Sequence, residues 1–359
     1  MKIGILAPIA WRTPPEHYGG WELVAHHLTE GLVARGHDVT LFATSDSLTK
    51  ARLESVCPHP LNQPGHALDS RVYETLHIAH AFERAKKLKL DVLHNHAGCF
   101  GTPFAHLISV PTVTTLHGSA AEAGSRTLYE HYRDLNYVSI SDSERKLAPD
   151  LSYVATVYNG VKVASFEFQE SPGDYLIVIG RMSPDKGIHL AIQVAQQAGL
   201  PLVLAGIVPS ENESYFRTQI EPHLNDQIRF IGPVNHREKS RWLAGAKASL
   251  HLVTYEEAFG LTMAESMACG TPVVAIRRGS VPELIEHRRT GFIVNPASDD
   301  EMVADAVAFL SHVADLDRRY IREHTEKRFG VERMVKGYEA VYKQLLAPRQ
   351  TFPLRAEPT

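Results

Sequence analysis

Arg181 and Lys186 stand five residues apart in Gly180-Arg181-Met182-Ser183-Pro184-Asp185-Lys186-Gly187, directly after the apolar run Tyr175–Ile179. A guanidinium fork and a compact ammonium at a strand's carboxyl end suit a diphosphate. Each cation within ~4 Å of a phosphate oxygen contributes up to ~4 kcal/mol gross at an effective dielectric near 20. Together they could do much of a divalent ion's work on a departing diphosphate. The plainer reading of the same residues is a solvated basic loop. Further along, Glu256-Glu257-Ala258-Phe259-Gly260-Leu261 leads into Thr262-Met263-Ala264-Glu265. This spacing leaves Glu257 in a loop after a buried strand, opens a helix near Phe259-Gly260-Leu261 and carries Glu265 about a turn and a half inside it. Gly260 lets backbone amides approach a ligand, and a helix N-terminus favours a phosphate. Glu265 is then placed for ribose hydroxyls and Glu257 for sugar hydroxyls. Against this stand a helix cap for Glu257 and a solvated face for Glu265.

In the first half, Tyr18-Gly19-Gly20-Trp21-Glu22 lies between the first strand and the first helix. Paired glycines there permit close backbone approach to a phosphate or a sugar. Neither G-x-G-x-x-G nor the P-loop pattern follows, which sets aside a dinucleotide fingerprint and a P-loop NTPase. His94-Asn95-His96 has the look of a metal pair, but the two rings are read as pointing to opposite faces of a strand, so no shared metal is expected. His96, at the strand's mouth, is assigned to the acceptor site together with His17 and Tyr18.

The elements that must position these residues form two series. Short apolar runs alternate with helix-period segments along most of the chain, the pattern of parallel sheets with crossover helices. The first series is Ile3–Ala7, Val39–Ala43, Val92–His94, Thr112–Leu116 and Tyr137–Ile140. Trp21, Val24, Ala25, Leu28 and Leu32 form one helical face, and Gly36 stops that helix. The second series is Tyr175–Ile179, Leu202–Ala205, Ile228–Ile231, Leu250–Val253, Val273–Ile276 and Phe292–Val294. Asn159–Asp174 between them reads as a linker. The expectation is α/β, with two doubly wound domains over residues 1–165 and 166–359 facing a central cleft. A last helix over about 331–346 is expected to cross back onto the first domain, and the proline-rich Ala347–Thr359 to fray.

A length of 359 residues fits two domains, and a net charge of -4 gives no reason to expect a nucleic-acid partner. Three cysteines without a CxxC pair suggest a reducing compartment. The start Met1–Pro8 reads as a strand rather than a signal peptide, and no apolar stretch approaches the ~18–20 residues of a membrane helix. A cytoplasmic protein is expected. Arg84–Lys89 reads as a solvated helix face, with contact to anionic lipid as the alternative.

The sequence resembles glycosyltransferase family 4, retaining enzymes of the GT-B fold, over essentially its whole length, and most specifically in its second half. The Gly-Arg…Lys-Gly loop, the two glutamates Glu257 and Glu265 flanking Phe259-Gly260-Leu261, and Ala268-Cys269-Gly270-Thr271-Pro272-Val273 occur in the family's order. Gly279-Ser280-Val281-Pro282-Glu283 follows, with Ser280 where the family shows a second glycine. The resemblance implies that Arg181 and Lys186 bind the donor diphosphate, Glu265 its ribose, and Glu257 with Phe259–Leu261 the donor sugar. It also implies that Phe230–Val234, including Pro233 and Val234, holds the base. Gly19 and Gly20 would face the diphosphate. Thr115-Leu116-His117-Gly118 resembles the family's Thr-x-His-Gly element and implies that His117 meets the donor sugar's 6-hydroxyl.

The reaction expected is transfer of a hexose from a nucleoside diphosphate sugar to a hydroxyl acceptor with retention. His117, Arg181, Lys186 and Glu257 are its expected catalytic residues. UDP-glucose is the first donor assigned and GDP-mannose the second. The scheme needs no cofactor and no metal, and counts no Asp-x-Asp metal motif. The alternatives kept are a sugar-nucleotide epimerase or phosphorylase on the same fold, an inactive nucleotide-sugar-binding protein, and a two-lobed solute-binding protein.

Overall fold

The computed structural model describes residues 1–348 except 64, 66, 67, 119, 121 and 296. The tail from 349 onward, expected to fray, lies outside the described residues, as do Ser119 and Ala121.

Two all-parallel sheets form two layered domains. The first contains β1 (Lys2–Leu6), β2 (Asp38–Phe42), β3 (Arg52–Glu54), β4 (Val92–Asn95), β5 (Thr112–Thr115), β6 (Asn136–Ser139) and β7 (Tyr153–Thr156) in the order β3-β2-β1-β4-β5-β6-β7. The second contains β8 (Leu176–Ile179), β9 (Leu202–Ala205), β10 (Ile228–Phe230), β11 (Ala248–His251), β12 (Val273–Ile276) and β13 (Gly291–Val294) in the order β10-β9-β8-β11-β12-β13. Helices cover both faces, so inner strands such as Val273–Ile276 are buried throughout and read as unbroken apolar runs. Each sheet reverses direction beside its first strand, and the crevice at that switch point is where ligands enter such sheets.

All six strands of the second series occur where the apolar runs predict them. In the first sheet, β3 and β7 were not among the expected strands. Both are edge strands, exposed to half-buried, and Arg-Leu-Glu and Tyr-Val-Ala-Thr carry no continuous apolar signal. The helix Gly20–Ala34 buries Val24, Ala25, Leu28 and Leu32, and Gly36 follows its end with φ 81°.

The Asn159–Asp174 stretch is packed rather than free. Val161, Val163 and Phe166 are buried in the core of the second domain, and the Val161 amide donates to the Phe329 carbonyl at 2.7 Å. Just beyond Phe329, the helix Val331–Leu346 lays Met334, Val335, Tyr338, Val341 and Tyr342 into the core of the first domain, beside Ile3, Val24 and Leu28. A Cβ at Gly31 would collide with Val335 Cγ2, so the two helices pack closely at that point. Arg35 donates to both Glu339 oxygens at 2.9 and 2.8 Å, and His37 Nε2 lies 2.8 Å from Glu339 Oε1. The chain therefore crosses between domains twice, and this second crossing is anchored by apolar packing and by a charged pair.

Candidate active site

The Gly180–Gly187 loop leaves β8 at its carboxyl end, as the sequence requires. The Thr254 amide donates to the Asp185 carbonyl at 2.9 Å and pins this loop to the one following β11. Lys186 Nζ donates to the Tyr255 hydroxyl and lies 3.4 Å from Glu257 Oε2. Arg181 reaches Asp185 at 3.4 Å, and its buried Nε has no partner among the described residues. Such an orphaned guanidinium nitrogen is a donor waiting for an acceptor.

Glu257 is the most heavily held carboxylate of the site. Tyr255 donates to its Oε2 at 2.6 Å, and His251 Nε2, at the end of β11, lies 3.2 Å from the same oxygen. Burial alone would raise its pKa, but His251, Lys186 and Tyr255 together hold the carboxyl well below the usual carboxylate range. Glu257 is thus an anion with acceptor capacity facing a cleft, not a helix cap. Sequence reasoning missed His251 and Tyr255. Their places, at the mouth of a buried strand and two residues before Glu257, were the available signal.

The loop holding Glu257 depends on Gly279, which has φ 55° and whose Cβ would collide with the Glu257 carbonyl oxygen. The next residue, Ser280, has an ordinary φ of -76°, so a side chain fits without strain there. Its hydroxyl donates to the Phe259 carbonyl at 2.9 Å and ties the turn to the same loop.

The helix Leu261–Ala268 opens at Gly260, in the left-handed region with φ 81°. Glu265 lies in this helix and is nearly fully buried, where its Oε1 accepts from Lys239 Nζ at 2.5 Å. That contact excludes the solvated-face reading. Lys239 belongs to the helix His236–Gly245, which Asn235 and Glu238 close with a capping box. Pro233 and Val234 form the short loop between β10 and that cap. The loop assigned to the base and the carboxylate assigned to ribose therefore share one support.

The first domain closes over these groups. A Cβ at Gly20 would lie 3.2 Å from Leu261 Cδ1, and one at Gly118 would lie 3.2 Å from Ala258 Cβ. Tyr18 feels the charges of Arg181, Glu257 and Asp185, although burial is the main reason its pKa is raised. Tyr18 thus lies within range of the Arg181 charge, although both Tyr18, at 42%, and His17 remain solvent-exposed. Glu22, also missed, accepts from the Trp11 amide at 3.1 Å, and burial pushes it up to about 7. Trp21 stacks on His117 with ring centroids 5.2 Å apart. The His117 loop is fixed from below by Glu144, whose oxygens accept from the Gly118 amide at 2.5 Å and the Ile140 amide at 2.8 Å.

Three expectations fail here. His94 and His96 do not point to opposite faces, since residues two apart on a strand share a face. Their ring centroids are 4.0 Å apart, with His96 Nε2 3.3 Å from His94 Nδ1. His96 is fully buried beneath His117, so it supports that ring instead of meeting an acceptor from the cleft. The count of Asp-x-Asp motifs was also wrong, because Asp315-Leu316-Asp317 is one. Asp317, however, caps the helix Arg318–Phe329 by accepting from the Arg319 and Tyr320 amides, and Asp315 pairs with His312. Among the described residues no three His, Cys, Asp or Glu side chains are arranged to hold a metal ion, and no helix is long and apolar enough to cross a membrane. All three cysteines are buried and free. Arg84 is bound to Glu54 through two hydrogen bonds, and Lys86, Lys87 and Lys89 are exposed.

Comparison with known proteins agrees with this geometry. Residues 18–164 match the family model described as glycosyltransferase family 4, and residues 164–327 match that of glycosyl transferases group 1. A glycogen synthase of Mycobacterium tuberculosis is 26% identical over 87% of this chain and 87% of its own. The fold is shared with sucrose-phosphate synthase from Thermosynechococcus elongatus, at a TM-score of 0.78 and 18% identity, covering 96% of this chain and 99% of that one. It is shared also with an Anabaena protein solved in complex with UDP and glucose, at a TM-score of 0.73 and 18% identity, covering 96% and 100%.

Proposed function

The chain is a GT-B glycosyltransferase of family 4, and from that premise we propose that it moves a hexose from a nucleoside diphosphate sugar to a hydroxyl acceptor, with retention at the anomeric carbon and without a metal. The observation that carries this reading is the convergence of Gly20 and Gly118 on Leu261 and Ala258, which brings His117 and the Arg181–Lys186–Glu257 cluster to one cleft.

In this scheme Arg181 and Lys186 take the donor diphosphate. The Lys186 ammonium leaves its internal partners, Tyr255 and Glu257, for phosphate oxygens, and Arg181 Nε gains the acceptor it lacks. Charge developing on the departing diphosphate is then stabilised by both cations and by the amides at the start of the helix Leu261–Ala268. Glu257, kept ionised, accepts from hydroxyls of the donor sugar. Glu265 accepts from the ribose, steadied by Lys239. Pro233 and Val234 border the base. The acceptor enters from the leaving-group side, past Tyr18, and its proton passes to the departing phosphate oxygen. UDP-glucose is the first donor proposed, in keeping with the UDP and glucose of the Anabaena complex, and GDP-mannose the second.

A panel of nucleotide sugars scored by thermal shift, with and without EDTA, tests the donor and the metal together. At ~100 times its dissociation constant the right donor adds ~2.7 kcal/mol of stability. Loss of both stabilisation and turnover in EDTA would refute the metal-free scheme. The anomeric configuration of the product, read by proton NMR, tests retention.

A further inference from the structure

The loop between β1 and the helix Gly20–Ala34 is pinned at several points, although it borders the cleft. The Trp11 amide donates to Glu22 Oε1 at 3.1 Å, and Glu22 is itself buried. A carboxylate is costly to bury, and here it holds a loop amide. The Thr13 amide donates to Ser47 Oγ at 2.9 Å, while the Leu48 amide donates to the Thr13 carbonyl at 2.8 Å. Arg12 pairs with Glu16 at 3.3 Å. At the loop's end Gly19 has φ 145°, and a Cβ there would lie 2.9 Å from Pro15 Cβ, so the chain folds tightly back on itself.

This loop displays a pair of rings. Trp11 and Tyr18 stand edge to face, with centroids 6.3 Å apart and planes at 77°. Tyr18 is 42% exposed and Trp11 half-buried, so the corner opens to solvent. Tyr18 comes two residues before Gly20, which meets Leu261 across the cleft, and it feels the charges of Arg181 and Glu257. The face of an aromatic ring carries the negative part of its quadrupole. One side of a pyranose ring gathers C–H bonds that neighbouring oxygens polarise positive, while the hydroxyls point outward around the rim. Tyr and Trp offer such a ring a broad, stiff surface at small cost in side-chain freedom. Charge argues the same way. Arg12 and Glu16 form an ion pair with each other, so the loop offers no net charge to select a carboxylate or phosphate acceptor. An acyl chain would need a longer apolar groove than two rings with that ion pair beside them.

We propose that Trp11 and Tyr18 form the acceptor subsite and that the acceptor is a pyranose sugar, stacked by one face on Tyr18 with its edge against Trp11, on a loop that Glu22 holds in place. Its role as acceptor rests on the function proposed above. The binding of a pyranose does not, because the corner is a property of the ligand-free protein.

The test is saturation-transfer NMR on the ligand-free protein, with its aromatic protons irradiated. The probes are the methyl glycosides of glucose, mannose, galactose and N-acetylglucosamine. Malate and glycerol phosphate serve as anionic probes, and vesicles of phosphatidylcholine with phosphatidylglycerol as the lipid one. At least one glycoside is expected to receive saturation, most strongly at the C–H protons of one ring face. Tyr18→Ala and Trp11→Ala are each expected to weaken that signal several-fold. Tyr18→Phe, which keeps the ring, and Glu257→Ala, in the donor-sugar site, are expected to retain it. In turnover with that glycoside, Tyr18→Ala is expected to raise the acceptor KM by about tenfold with a smaller change in kcat. No transfer to any glycoside would overturn the proposal. So would a signal unchanged in Tyr18→Ala, or one lost as fully in Glu257→Ala, which would place the sugar in the donor site. Binding confined to the anionic probes or the vesicles would overturn it too. A glycoside signal that depends on Tyr18 while the donor panel fails would uphold the sugar site and count against the proposed function alone.

Discussion

The Glu283 carboxylate of the second domain lies 2.7 Å from the backbone nitrogen of Ser143 in the first. Its other oxygen accepts from the Asp142 amide at 2.8 Å and the Tyr158 hydroxyl at 2.9 Å. Three donors, two of them at the start of the helix Asp142–Leu147, are satisfied by one side chain from across the cleft. The Gly279–Glu283 turn thus does two jobs, since Gly279 and Ser280 shape the Glu257 loop while Glu283 holds the domains together.

Glu283→Ala is expected to shift the population toward an open cleft. Donor affinity should fall by roughly tenfold, or ~1.4 kcal/mol. Small-angle scattering of the ligand-free variant should give a larger radius of gyration. An unchanged scattering profile with unchanged donor affinity would show that the contact does not control closure.

Lys186→Ala and Arg181→Ala are expected to lower kcat by about 10²-fold or more, the cost typical of losing a preorganised donor to a developing anion. The melting temperature should move only slightly, because both side chains face the cleft. A variant that melts early yet turns over normally per folded molecule would return these residues to a structural role.

His117→Ala is expected to leave nucleoside diphosphate binding nearly intact, since Arg181, Lys186 and Glu265 are untouched. Turnover should drop by roughly 10²-fold, or ~2.7 kcal/mol. Calorimetry with the nucleotide and steady-state kinetics on one preparation separate the two roles. Lost nucleotide affinity with normal transfer at saturating donor would put His117 on the wrong side of the reaction.

Glu339 should govern part of the acid stability of the crossing helix. Its hydrogen bonds from Arg35, opposed by burial and aided by His37, hold the carboxyl down to about 2. A carboxylate depressed in the folded state contributes stability that is present above its unfolded pKa, about 4.5, and is lost as pH falls toward 2. Glu339→Gln should therefore melt lower than wild type near pH 7, with the two curves converging between about pH 4.5 and 2. Melting curves that stay parallel across that window would show that the ion pair is not stabilising.

Much of the second domain was legible because its signals are local. Buried parallel strands are continuous apolar runs, their carboxyl ends are followed at once by Gly180–Gly187 and Glu256–Leu261, and a glycine before a helix marks an amide-lined start. The two-domain α/β fold followed from the same runs. The edge strands β3 and β7 did not, because a strand paired on one side needs no unbroken apolar run.

What tertiary structure alone decided is which distant groups share a charge or a proton. Lys239 meets Glu265 from 26 residues away, Glu283 meets Ser143 from 140, and Tyr342 meets His94 from 248. In sequence each is an ordinary surface-type or helical residue. Burial removes the water that would otherwise satisfy it, and only the packing of one element on another supplies the partner. The sequence by itself determined the charged loops at the carboxyl ends of β8 and β11. Only the packing of the last helix onto the first sheet decided that Tyr342 and Tyr338 stand against His94 and Thr115.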